Sequence, residues 1–149
     1  MQFFSPEWAE AARRAWNAGP SADVKAGKLQ KYWDWIEDAR ERTTATLGLA
    51  IDDLPFDRPD CLVLHLEQGK CARIEVASRA AVEAGTTYLL TGSYRDWRDL
   101  MGGYDAGKTI MYRKLRLEHG ELLDFFKAAY LWTESLACLQ KVPTEFPEE

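Results

Sequence analysis

The sequence predicts an α+β domain, and three observations predict it. Apolar residues recur with helical spacing at both ends of the chain, strict alternation takes over in the middle, and 149 residues suffice for one core. Helices flanking a mostly antiparallel sheet indicate a layered architecture, with helices packed on one sheet face. A single domain over residues 1–149 is therefore expected.

Taken in order, Ser5-Pro6-Glu7-Trp8 is a helix start. Ser5 can cap, Pro6 suits the first helical position, and Glu7 meets the positive end of the dipole. Trp8, Ala11, Ala12 and Ala15 form an apolar stripe until Gly19-Pro20 stops it. From Lys25 to Leu47, the residues Leu29, Trp33, Ile36 and Arg40 keep helical spacing. The end, Thr43-Thr44-Ala45-Thr46, makes a poor helix, so residues 25–51 are open to either helix or strand in part. Residues 52–60 carry two prolines and four aspartates and read as a loop.

The period then changes to two. Leu62, Leu64 and Leu66 alternate with Val63, His65 and Glu67, a half-buried strand. Ala72, Ile74 and Val76 continue the alternation after Glu67-Gln68-Gly69, with Arg73 and Glu75 on the opposite face. A three-residue loop with Gly69 left-handed sets Leu64 opposite Ala72 and Leu62 opposite Ile74. A two-residue loop would put Leu64 opposite Arg73 and mix the faces. Tyr88–Gly92 is a third strand. Ser93-Tyr94-Arg95-Asp96 has the form of a capping box and opens a helix ended by Gly102-Gly103. Residues 109–118 read as a fourth strand. Residues 121–141 read as one long helix, with Leu122, Phe125, Phe126, Ala129, Tyr130, Thr133, Leu136 and Ala137 on a wide apolar face closed by Pro143.

Composition narrows the function. The net charge is −5 with cations and anions interspersed, so no basic patch offers itself to nucleic acid. The odd count of three cysteines and only two histidines lacks the spacing of a zinc site, and no metal is expected. No basic-then-apolar leader is visible, and no apolar run approaches the roughly 18 residues of a membrane span. The expectation is a cytoplasmic protein with reduced thiols and no integral membrane segment. Six Trp, six Tyr and six Phe imply a bulky core or an aromatic-lined pocket.

Several stretches together resemble the sterol carrier protein-2 family, in its short prokaryotic form. They are Leu62–Cys71 with its tight turn, Tyr88–Ser93 (apolar, Thr, Gly, small), and the Asp96-Trp97 helix ending in Gly102-Gly103. The strand running to Gly120 and the opening Phe4-Ser5-Pro6-Glu7-Trp8 complete the set. The match is good over residues 60–143 and loose before them. The family strand Gly-Lys-Leu-x-Ile-x-Gly is answered by Arg113-Lys114-Leu115-Arg116-Leu117-Glu118-His119-Gly120, which lacks the first glycine. The resemblance implies a five-stranded sheet covered by helices, an apolar tunnel between them, and a lipid-type ligand (fatty acid, acyl-CoA, sterol-like or phospholipid). It implies no metal, no cofactor and no covalent chemistry.

Three constellations suggest other chemistry. Gly102–Thr109 satisfies the phosphate-loop pattern G-x-x-x-x-G-K-[ST], but that chemistry needs a strand before the loop and a helix after it. Here a helix precedes and a strand-like segment follows. His65 and Cys71 could face each other across the hairpin, suggesting a thiol nucleophile and its imidazole base, with nothing visible to orient the histidine. Asp52, Asp53, Asp57 and Asp60 lack the spacing and glycine of a calcium loop. The residues expected to touch a ligand are Trp97, Leu100 and Met101 on the short helix, and Phe125, Phe126, Ala129, Tyr130 and Thr133 on the long one; each can equally be core. The leading reading is a non-catalytic carrier of an apolar small molecule or lipid, held where the last helix roofs the sheet. The rivals are a small enzyme using Glu75, His65 or Tyr130, and a self-pairing or protein-binding module, such as a homodimer.

Overall fold

The computed structural model describes residues 1–82 and 85–146. The element order is α1 (Pro6–Ala18), α2 (Ala22–Ala26), α3 (Gln30–Glu41), β1 (Ala45–Ile51), β2 (Cys61–Glu67), β3 (Lys70–Ala77), α4 (Arg79–Val82), β4 (Tyr88–Gly92), α5 (Tyr94–Met101), α6 (Ala106–Met111), β5 (Arg116–His119), α7 (Leu122–Phe126) and α8 (Ala129–Leu139). Five strands form one mixed, mostly antiparallel sheet in the order β3-β2-β1-β4-β5, with β1 and β4 parallel. The fold is α+β.

The open stretch at residues 25–51 is both helix and strand, and its strand, β1, is the centre of the sheet. Thr43 Oγ1 donates to the Ala39 carbonyl at 2.7 Å and closes α3, where a run of threonines disfavours further helix. Leu47, Leu49 and Ile51 of β1 point into the main core with Leu62, Leu64 and Leu66 of β2. On the other face Ala50, Cys61, Val63 and Leu89 form a smaller buried cluster, so the hairpin strand β2 is buried on both sides rather than half-buried.

The hairpin has a different register from the one its alternation predicts. Gln68 (φ 49°) and Gly69 (φ 77°) make a two-residue turn with both residues left-handed, and Glu67 pairs with Lys70. Ala72 is then an extra, bulged residue, after which Leu64 faces Ile74 and Leu62 faces Val76. The bulge restores the apolar face that a two-residue loop alone would have scrambled. Helix α1 holds this edge. Asn17 Nδ2 donates to the Cys71 carbonyl at 2.9 Å and its Oδ1 accepts from Cys71 N–H at 2.8 Å, while Trp16 Nε1 donates to the Gly69 carbonyl at 2.9 Å.

Two further expectations are corrected. The strand expected at 109–118 is only Arg116–His119, and its first part is helix α6. Asp105 caps α6 by accepting from Lys108 N–H at 2.9 Å, and this local capping outweighs the strand preference of Thr109 and Ile110. The long C-terminal helix is two helices broken at Lys127–Ala128. The break costs no hydrogen bond at the Phe125 carbonyl, which accepts from Ala128 N–H at 3.2 Å and from the Trp132 indole at 2.8 Å. Both serines cap their helices: Ser5 Oγ accepts from Trp8 N–H at 3.1 Å and Ser93 Oγ from Asp96 N–H at 3.0 Å.

Candidate functional site

Helix α8 has two unlike faces. Toward the sheet, Leu131, Trp132, Leu136 and Leu139 are fully buried, and Trp132 stacks on Phe125 at 5.3 Å between ring centroids. The layer between α8 and the sheet, where the sequence places the apolar guest, is thus occupied by the protein's own side chains. On its outer side α8 faces α6 across an open groove of about 640 Å³. Small side chains line it: Ala106 and Gly107 from α6, and Ala129, Thr133 and Ala137 from α8. Larger ones line it too: Ile110, Met111, Phe126, Tyr130 and, from α3, Tyr32. Met111 (72% exposed), Phe126 (46%) and Tyr130 (53%) present apolar surface to solvent around this opening.

Gln140 also lines the groove, its amide donating to the carbonyls of Leu100 and Tyr104, both at 2.8 Å. The polar end lies where α3 meets α8. There the nearly buried Glu134 accepts from the Tyr32 hydroxyl at 2.8 Å and pairs with Lys28 at 3.3 Å. Burial, and secondarily the bond to Glu134, pushes the Tyr32 phenol well above its ordinary value and keeps it a donor.

The residues expected to touch a ligand divide between two places. Phe126, Ala129, Tyr130 and Thr133 line the groove. Trp97, Leu100 and Phe125 lie fully buried in the main core, and Met101 packs against it half-buried. The Trp97 indole donates to the Ala50 carbonyl at 2.9 Å, which ties α5 to the central strand. Tyr32, Ile110 and Met111 escape the sequence reading. Tyr32 reaches the groove only through tertiary contact, and residues 109–111 have the side chains of a strand.

The other constellations resolve into structural roles. Gly102 ends helix α5, so a helix enters the phosphate-loop pattern where a strand is required. The Asp105 carboxylate already occupies the start of the six-residue α6. His65 faces Arg73, not Cys71. The Cys71 thiol is buried on the opposite face and burial pushes it up to about 11. Asp52 pairs with Arg79 at 2.6 Å and Arg116 at 2.9 Å, Asp53 accepts from Tyr94 N–H and Asp60 from Arg79 N–H. Among the described residues no cluster of three metal-ligating side chains occurs, and no helix is long and apolar enough to cross a membrane.

No protein-family model and no curated protein matches the sequence. Solved structures do match its shape. A crystal structure of sterol carrier protein 2 superposes with a TM-score of 0.67 at 21% identity, covering 95% of this chain and 100% of the other. The solution structure of a conserved hypothetical protein from Thermus thermophilus, described as possibly a sterol carrier protein, gives 0.65 at 20% identity over 97% and 92% of the two chains. With its five-stranded mixed sheet and covering helices, this chain has the α+β fold of sterol carrier protein 2.

Proposed function

We propose that the protein binds and carries an apolar, lipid-like molecule in the groove between α6 and α8, without chemical change to it. One observation carries this reading. Small side chains line the groove together with large apolar ones, of which Met111, Phe126 and Tyr130 face solvent, and this is surface the chain leaves for something else to cover. Phe126, Ala129, Tyr130 and Thr133 are the proposed contacts. Trp97, Leu100, Met101 and Phe125 serve by fixing the elements that carry them. Each methylene moved from water into such a groove gains about 0.8 kcal/mol, so an alkyl chain needs few polar anchors. The likeness of fold to sterol carrier protein 2 supports the same reading. Three buried free thiols, Cys61, Cys71 and Cys138, suit a reducing, cytoplasmic setting.

Native mass spectrometry before and after organic extraction tests the proposal, with long-chain alcohols and phospholipids added back. The expected result is a lipid-sized adduct lost on extraction and restored on addition. Ala129→Trp adds bulk to the groove lining while leaving the buried residues of α8 unchanged. Displacing even two methylenes of ligand costs about tenfold in affinity, so that variant should bind at least about tenfold more weakly. Failure of the wild-type chain to take up any added lipid contradicts the reading.

A second reading rests on Leu122 and Leu123, which are 56% and 71% exposed on α7: pairing with another copy of the chain. It predicts a concentration-dependent size on a calibrated column that Leu123→Glu abolishes.

A further inference from the structure

The charged lining of the groove restricts what head group it accepts. Its charged side chains are Lys28, Asp105 and Glu134, one cation against two carboxylates. Asp105 is committed to the N-terminus of α6, where its Oδ1 accepts from Lys108 N–H. At the α3 end, Lys28 Nζ stands 4.3 Å from the centroid of the Tyr32 ring and 3.3 Å from Glu134 Oε1. The Tyr130 ring lies 5.0 Å beyond that of Tyr32, tilted by 57°. An ammonium group is therefore already seated between an aromatic face and a nearly buried carboxylate, the arrangement that recognises alkylammonium cations.

The occupant of that seat is only tethered there. Lys28 is half-exposed and follows α2, a five-residue helix with no buried side chain, so its long stem can swing to solvent at little cost. Glu134, by contrast, is on α8 and held by the Tyr32 hydroxyl. A carboxylate head entering at this end would meet one fixed anion, Glu134, and one mobile cation, Lys28. An ammonium head would find its counter-charge in the fixed Glu134 and its competitor in the mobile Lys28.

We propose that the groove takes an amphiphile with an ammonium head, which displaces Lys28 from Glu134 and Tyr32 while its alkyl chain lies along Ala129 and Phe126. The proposal rests on the carrier reading and names the ligand class for that groove. The ammonium belongs either to a zwitterionic phospholipid head group or to a simple long-chain amine.

Calorimetric titration of the intact chain with dodecyltrimethylammonium, dodecanoate, dodecanol and dodecylphosphocholine, each below its micelle concentration, tests it. The ammonium should bind about tenfold more tightly than the carboxylate. Glu134→Gln should erase that preference, with near-ultraviolet circular dichroism reporting an intact fold. Lys28→Ala should raise ammonium affinity severalfold by vacating the seat. Should Glu134→Gln not fold, the Lys28→Ala result decides: unchanged or weakened ammonium binding overturns the proposal. Equal or tighter dodecanoate binding overturns it too, as does a preference that survives Glu134→Gln. Where dodecanol binds and the preference is missing, the head-group proposal alone fails; where dodecanol also fails to bind, the carrier reading falls with it. Tight dodecylphosphocholine binding supports the proposal with a phospholipid source, and binding of dodecyltrimethylammonium alone supports it with an amine source.

Discussion

Gly92 ends β4 in a space with no room for a side chain. A Cβ there would stand 2.5 Å from Leu115 Cδ2 and 2.7 Å from the Lys114 carbonyl oxygen, and the backbone atom cannot rotate away. Gly92→Ala is expected to destabilise by about 1–3 kcal/mol, measurable as a lowered urea midpoint with an unchanged slope. The three thiols give a second residue-scale prediction. Burial raises Cys71 from 9.0 to about 11 and Cys61 to about 12, and raises Cys138 in the same direction. Unfolding returns each to its ordinary value. Between pH 9 and about 11–12 the folded chain therefore holds protons that the unfolded chain releases, and stability falls as pH rises through that window. Below it the thiols contribute no slope. Urea midpoints should stay level, as far as thiols are concerned, up to about pH 8 and decline above 9; Cys61→Ala should make that decline shallower. A rising midpoint in that range would contradict the assigned burial. The Tyr32 and Tyr88 phenols, raised by burial and by bonds to Glu134 and Asp124, add to the decline at still higher pH.

At the scale of elements, sequence periodicity reveals pattern but not interruption. The β2–β3 strands were legible because Leu62, Leu64 and Leu66 alternate, yet the bulge at Ala72 was not, since a bulged alanine looks like any other. Helix α6 was hidden because Thr109 and Ile110 favour strands, and its determinant is one capping aspartate. The break between α7 and α8 was hidden for the opposite reason. Residues 121–141 carry no glycine or proline, and the break is set by tertiary contacts, chiefly the Trp132 indole on the Phe125 carbonyl and their stacked rings. The Tyr88 hydroxyl bonded to Asp124 adds an anchor from β4 to α7. Trp132→Phe removes the indole donor and part of the packing. It should cost about 1–3 kcal/mol in thermal or urea unfolding. A loss near zero would mean that the break is held by something other than this contact.

Across the whole molecule, architecture was more legible than the site. Alternation and capping signals carried the α+β class, and the resemblance carried the strand count. The position of β1 at the sheet centre is not legible in the sequence, because Thr43–Thr46 allows either helix or strand. The groove was half legible: Phe126, Ala129, Tyr130 and Thr133 were named from one helix face, but Tyr32, Ile110 and Met111 come from elements brought there only by folding. The same α8 helix spends one face on the core and leaves the other at the groove, and it is on that outer side that we propose the guest. Photo-crosslinking with a diazirine-tailed long-chain alcohol, followed by peptide mapping of the intact protein, tests that placement directly. Adducts are expected on Met111, Phe126, Ala129 and Tyr130, and excess dodecanol should compete them away. Adducts confined to sheet-facing residues such as Leu64 and Leu136, or labelling that dodecanol leaves untouched, would contradict it.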